Sequence, residues 1–210
     1  MSESWEILQR EADACTKCGL KGILEIDCPR ETIGIPMQID NPSCLFVSWN
    51  PPKREPRASG KAGKAKNFWN DSEDTLQKNL LEILKLNNIE EFRSQGYFLV
   101  HALKCPVLDP RRFQSGRQLT RIALSTCVPE YLQKEVALLS PKRICLLGTV
   151  AKQAFGLFCK DVREWQASPR DGESRKIKLE HSVVDFLYTC LPVRDSLVPY
   201  TKTHLLLWKP

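Results

Sequence analysis

Residues 141–148 read Pro141-Lys142-Arg143-Ile144-Cys145-Leu146-Leu147-Gly148, and the chain runs on as Thr149-Val150-Ala151-Lys152-Gln153-Ala154-Phe155. The apolar stretch between a Ser140-Pro141 breaker and a glycine has the length and bounds of a fully buried strand. The alternating small and apolar residues after Gly148 then predict a helix, over 149–159. A buried strand handing straight over to a helix is half of a βαβ unit. Such units imply a parallel sheet covered on both faces.

Working outward, three more segments fit the same sheet. CLFVS at 44–48 is a short apolar run with Asn-Pro on either side, YFLVHAL at 97–103 is a second, and VVDFLYTC at 183–190 closes the set. Between them lie helical patterns. Trp5, Leu8 and Ala12 recur at helical spacing over 4–14, and Leu76, Leu80, Leu81, Ile83 and Leu84 make one face over 74–86, with cap candidates at 70–72. Pro129 suits the first turn of a helix over 129–139. Residues 160–177 are polar and basic and read as a loop. The expected architecture is a single domain over 1–210, three-layer α/β/α, around a central, mostly parallel four-stranded sheet. Ligands of such sheets bind beyond the carboxyl ends of the strands. Those ends are Ser48-Trp49-Asn50-Pro51, His101 to Cys105, Gly148, and Cys190-Leu191-Pro192.

The 210 residues are 42% hydrophobic and 27% charged, an ordinary soluble composition. No run is long and apolar enough to span a membrane, and the amphipathic N-terminus lacks the pattern of a signal peptide. A monomeric, cytoplasmic protein is expected. Nine cysteines, an odd number, read there as reduced thiols or ligands and not as a disulfide framework. Cys15 and Cys18 form a CxxC pair, and Cys105 and Cys127 stand far downstream. Four thiolates from such irregular spacing suit an iron–sulfur cluster better than the paired knuckles of structural zinc. Cys15, Cys18, Cys28 and Cys44 are the alternative set, for zinc in an N-terminal ribbon. Cys145, Cys159 and Cys190 sit in apolar segments, where thiols are inert by default.

The formal net charge is +6, and it is unevenly spread. Lys53, Arg54, Arg57, Lys61, Lys64 and Lys66 are opposed only by Glu55, and Arg111, Arg112, Arg117 and Arg121 only by Asp109. Such stretches fit a phosphate backbone, with affinity falling steeply in salt. A single basic run is equally a solvated loop.

Taken in order, these landmarks resemble the uracil-DNA glycosylase superfamily, and in particular its iron–sulfur branch. That branch has an N-terminal CxxC, matched by Cys15 and Cys18, then a strand ending Asn-x-x-Lys-Cys, matched from His101 to Lys104-Cys105. A later cysteine opening a helix is matched by Cys127-Val128-Pro129-Glu130-Tyr131-Leu132, and a Pro-Lys-x-Ile-x-x-Leu-Gly strand by residues 141–148. Asn50-Pro51 resembles the Asn-Pro of the first active-site loop in several branches. Asn67-Phe68-Trp69 resembles a motif of the mismatch-specific branch. The likeness runs from residue 15 to about 195. Two positions depart from it: His101 replaces the base-reading Asn, and Leu191-Pro192-Val193 replaces a His-Pro-Ser motif. The first loop also lacks the branch's glycine-rich sequence.

The resemblance implies a [4Fe–4S] cluster on Cys15, Cys18, Cys105 and Cys127, with zinc the alternative. It also implies DNA, single- or double-stranded and carrying a damaged base, as partner. The reaction implied is hydrolysis of the N-glycosidic bond of uracil or another deaminated base. Asn50 would orient the water, Phe68, Trp69 or Trp49 would contact the base, and His101 would meet its edge or, as imidazolium, steady its charge. Core packing is the competing role for the aromatics, and a backbone-satisfied buried ring for His101. Leu191 would serve as an apolar wedge. Lys53, Arg54, Lys61, Lys64, Lys66, Arg111, Arg112 and Arg194 would hold phosphates. His181 and His204 lie in no motif and read as surface or packing residues. A non-catalytic nucleic-acid-binding protein of the same fold is the alternative, since the last-motif His is missing.

Overall fold

Five strands, not four, make the central sheet of the computed structural model, which describes residues 4–20, 41–51, 68–69, 72–107, 117–179 and 182–208. In chain order the elements are α1 (Trp5–Asp13), β1 (Cys44–Ser48), α2 (Thr75–Leu84), α3 (Ile89–Ser94), β2 (Tyr97–His101) and α4 (Gln118–Cys127). A π-helical turn (Val128–Leu132), α5 (Gln133–Leu139), β3 (Arg143–Leu147), α6 (Thr149–Phe155) and α7 (Lys160–Glu164) follow. β4 (Ser174–Leu179), β5 (Ser182–Thr189) and α8 (Val198–Trp208) complete the chain.

The strand order is β2-β1-β3-β5-β4, with β2, β1, β3 and β5 parallel. β4 runs antiparallel on the edge, from Ser174↔Leu187 to Leu179↔Ser182. It lies in the stretch expected to be loop. Its only buried residue is Ile177, among Arg175, Lys176 and Lys178, so the sequence carries no apolar run to betray it. Charged side chains on an edge strand also discourage pairing with another chain.

Side-chain caps set the starts of the first three helices. Ser4 caps α1 through Ile7 N at 3.4 Å, and Asp74, not a residue of 70–72, caps α2 through Gln77 N at 2.8 Å. The helix expected over 149–159 stops at Phe155, and α7 follows from Lys160. Pro129 does not open a helix. It sits in the π-helical turn that joins α4 to α5, where its missing N–H and its ring interrupt α-helical bonding. α6 packs on β3 and β1, α3 on β2, and α8 on β5, so helices flank the sheet.

Phe68 and Trp69 do not stand open to a ligand. Phe68 is fully buried and Trp69 nearly so, within an aromatic cluster: Phe68–Phe92 centroids lie 5.3 Å apart and Trp69–Phe98 5.0 Å. Their packing role is the one the structure supports, and the apolar area of two aromatic rings accounts for it. Trp49 is half-buried against the same core.

Candidate active site and cysteine cavity

Parallel register brings the strand ends to one rim. Ser48 pairs with His101 across β1 and β2, Val47 with Leu146 across β1 and β3, and Leu147 with Thr189 across β3 and β5. The pairing of β1 with β2 continues past the strands, with Ala102 N donating to Ser48 O at 2.8 Å and Leu103 N to Trp49 O at 2.9 Å. Asn50 therefore leaves the sheet beside the end of β2. It is half-buried, its Nδ2 donates to Pro51 O at 2.7 Å, and its Oδ1 has no partner among the described residues.

His101 is 5% exposed, and its Nδ1 lies 2.5 Å from Ser48 Oγ. Its Nε2 is buried without a partner among the described residues. Burial, and then the nearby Lys104 ammonium, lower its pKa from 6.5 to about 3. The ring is therefore neutral, which removes the imidazolium role expected of it. What remains is a neutral ring with one free nitrogen.

On the far side of the rim, Gly148 has φ +86°, and a Cβ there would come within 3.2 Å of Leu191 Cβ. Glycine is needed both for the left-handed backbone and for that close approach. Leu191 is half-buried and packs inward on the core, so the exposed apolar side chain of this turn is Val193. The wedge expected at Leu191 is thus not presented outward. Asn79 Nδ2 ties the turn down through Pro192 O at 2.5 Å, and Thr201 Oγ1 does so through Cys190 O at 3.0 Å. His204 packs as expected, 9% exposed, with Nδ1 2.7 Å from Thr189 Oγ1. Arg194 is exposed beside this turn. Lys53, Arg54, Lys61, Lys64, Lys66, Arg111 and Arg112, with Asn67, Cys28 and His181, lie outside the described residues.

Cys15, Cys18, Cys105 and Cys127 line one small cavity with Leu103, Lys104, Ala123, Thr126 and Tyr131. Four cysteines from three distant places in the sequence thus line one cavity between α1, the end of β2 and the end of α4. All eight described cysteines are free thiols. Burial pushes the Cys127 thiol up to about 12, and its Sγ accepts from Lys104 N at 3.4 Å. The Tyr131 hydroxyl donates to Glu11 O at 3.2 Å, and it also meets Cys15. Among the described residues no group of three or more His, Cys, Asp and Glu is preset to hold a single metal ion. Cys44 is buried within β1, its thiol raised by burial and facing Cys145, away from this cavity.

One network joins cavity and rim. Lys104 Nζ, on a side chain 2% exposed, donates to His101 O at 2.6 Å and pairs with Glu135, which is fully buried. Glu135 Oε1 also accepts from Gln9 Nε2 at 3.0 Å. Buried charges need such saturation. The sequence alone singles out neither Ser48 nor Glu135. Glu135 reads there as an ordinary helix-surface carboxylate, and the pairing of Ser48 with His101 depends on strand register.

No curated protein matches the chain as a relative. Among the described residues no helix is long and apolar enough to cross a membrane. The family model of the uracil DNA glycosylase superfamily matches residues 36–197. That span holds every strand, the rim with Asn50 and His101, and two of the four cavity cysteines, so the chain belongs to the uracil DNA glycosylase superfamily.

Proposed function

We propose that the chain is a monofunctional DNA glycosylase that removes uracil or another deaminated base by hydrolysing the N-glycosidic bond. The observation that carries this reading is that, at the rim of a superfamily domain, Asn50 leaves β1 two residues past Ser48, whose register partner on β2 is the neutral, buried His101. In the reaction the C1′–N bond breaks and its electron pair leaves with the base. Water oxygen bonds C1′, and one water proton ends on the departing base. Positive charge on the sugar and negative charge on the base develop before water attacks. The protein therefore helps most by orienting the water and by aiming donors at the leaving base. Asn50 Oδ1 suits the first role, because an amide orients a water without itself titrating. His101 suits the second. The base must first leave the stack to reach either group.

Cys15, Cys18, Cys105 and Cys127 would hold a [4Fe–4S] cluster in the same proposal. The donor set fits: four free thiols, the ligand type and number such a cluster takes, line one cavity. When bound, the cluster supplies a structural tie between the 15–18 segment and the ends of β2 and α4. The basic stretches would bind phosphates of single- or double-stranded DNA, with the protein acting as a monomer.

The test is base release by anaerobically purified protein from oligonucleotides carrying uracil, hypoxanthine or xanthine. Release that disappears in Asn50→Ala supports the reading. Salt-sensitive DNA binding with no release from any substrate would favour a binding protein that has lost the chemistry. Leu191, packed inward where a last-motif His would stand, is the observation on that side.

A further inference from the structure

We propose that Ser48 is a positioning residue that fixes His101 as the Nε2–H tautomer, so that the site takes bases presenting a carbonyl oxygen and refuses those presenting an amine. The inference rests on the reading that His101 faces the extruded base.

Buried polar groups decide between the two tautomers. Ser48 is 1% exposed and His101 5%, and they are register partners at the ends of adjacent parallel strands, so both side chains point to one face. Among the described residues, the only hydrogen-bond partner of the Ser48 hydroxyl is His101 Nδ1, at 2.5 Å. If Nδ1 carries the ring proton and Ser48 accepts it, the hydroxyl proton and the Nε2 lone pair are both left buried and unpaired. If Ser48 donates to Nδ1, one group alone is left, the Nε2–H. Buried unpaired groups are what folded proteins avoid, so the second arrangement wins. Burial and the Lys104 ammonium, which donates to the His101 carbonyl and pairs with Glu135, hold the ring neutral.

A fixed N–H donor has a chemical consequence. Hydrolytic deamination replaces an exocyclic amine with a carbonyl in cytosine, adenine and guanine alike. Facing the pyrimidine C4 or purine C6 position, the N–H meets an acceptor in uracil and hypoxanthine and a donor in cytosine and adenine. A carbonyl oxygen facing this donor is also where charge collects as a base departs, so the bond strengthens during cleavage. An Asn in this position would pair with both a donor and an acceptor of one particular base edge. A lone donor accepts any suitably placed carbonyl.

The experiment records two-bond proton–nitrogen correlations on full-length protein labelled with ¹⁵N-histidine, assigned by His101→Gln, alongside single-turnover base release. The expected result is an Nε2–H pattern for His101 that Ser48→Ala converts to the other tautomer or a mixture. Release of deaminated bases should fall about tenfold with it, at unchanged DNA affinity. Ser48→Thr, which keeps the hydroxyl, should retain both. An Nδ1–H pattern in the unaltered protein overturns the proposal, and so does release of cytosine or adenine as fast as of their deaminated forms. Should Ser48→Ala not fold, the unaltered protein and Ser48→Thr still decide it. Should no base be released, the glycosylase reading falls, and the nitrogen correlations alone uphold or overturn the tautomer assignment.

Discussion

Glu135→Gln is the perturbation that asks most of this structure. Glu135 is fully buried and Lys104 2% exposed, and the ammonium also donates to the His101 carbonyl. Replacing the carboxylate with an amide keeps the volume but strands a buried positive charge. Breaking one side of such a pair costs about 3–5 kcal/mol. For a chain of this length each kcal/mol lowers Tm by about 2–4 °C, so a fall of about 6–20 °C is expected. Lys104→Met should cost a similar amount, because it strands the carboxylate. The double variant Lys104→Met/Glu135→Leu should recover most of the loss, since an apolar pair leaves no charge unpaired. Urea unfolding followed by circular dichroism on the unaltered protein, Lys104→Met, Glu135→Leu and the double variant measures the coupling. Singles costing under about 1 kcal/mol and adding in the double variant would refute the reasoning, because the pair would then behave like an exposed one.

Asn50→Ala should cut base release by about 100-fold or more through a misplaced water, with DNA affinity unchanged in a filter or anisotropy assay. Cys105→Ser and Cys127→Ser should each abolish the visible absorbance and bound iron of anaerobically purified protein. Metal retained in both variants would refute these two cysteines as ligands. His101 binds its proton only near pH 3 when folded and near 6.5 when unfolded, so between those values the unfolded chain holds more protons. Its contribution to stability is full above about pH 6.5 and is lost as pH falls toward 3, at up to about 1.4 kcal/mol per pH unit. His101→Gln should flatten that dependence in denaturation midpoints measured from pH 4 to 7.

Sheet and family were legible because buried parallel strands leave nearly continuous apolar runs, as in CLFVS and RICLL, and punctuation such as Asn41-Pro42 and Gly148 bounds them. β4 was not, because an edge strand with one buried residue has no such signature. That Cys105 and Cys127 line one cavity with the CxxC pair was legible through the order of the motifs along the chain, not through any one spacing. Phe68 and Trp69 were not legible as core. Aromatics serve binding and packing alike, and only the rings of Phe92 and Phe98 against them decide. Likewise the neutrality of His101 follows from enclosure and from Lys104, neither of which a strand pattern reveals.

The helical stretch from α4 through α5 buries residues 120, 124, 128, 132 and 136 in one row and 123, 131, 135 and 139 in another, with half-buried Cys127 completing the second. A stride of four does not suit a plain α-helix, which turns about 100° per residue and so drifts about 40° at each step. Over the four steps from 120 to 136 the row would wander about 160°, wider than a helix face that packs on a sheet. The π-helical turn at Val128–Leu132 adds about one residue to one turn and takes back about 100° of that drift. Pro129 is thus a phase corrector, and it holds Cys127, Tyr131 and Glu135 in a single file along the cavity and its ion pair. Helix length there is quantised: deleting one residue between Cys127 and Glu135 would let the turn close into plain α-helix with the carboxylate still in file, whereas deleting two would swing it about a quarter turn from Lys104.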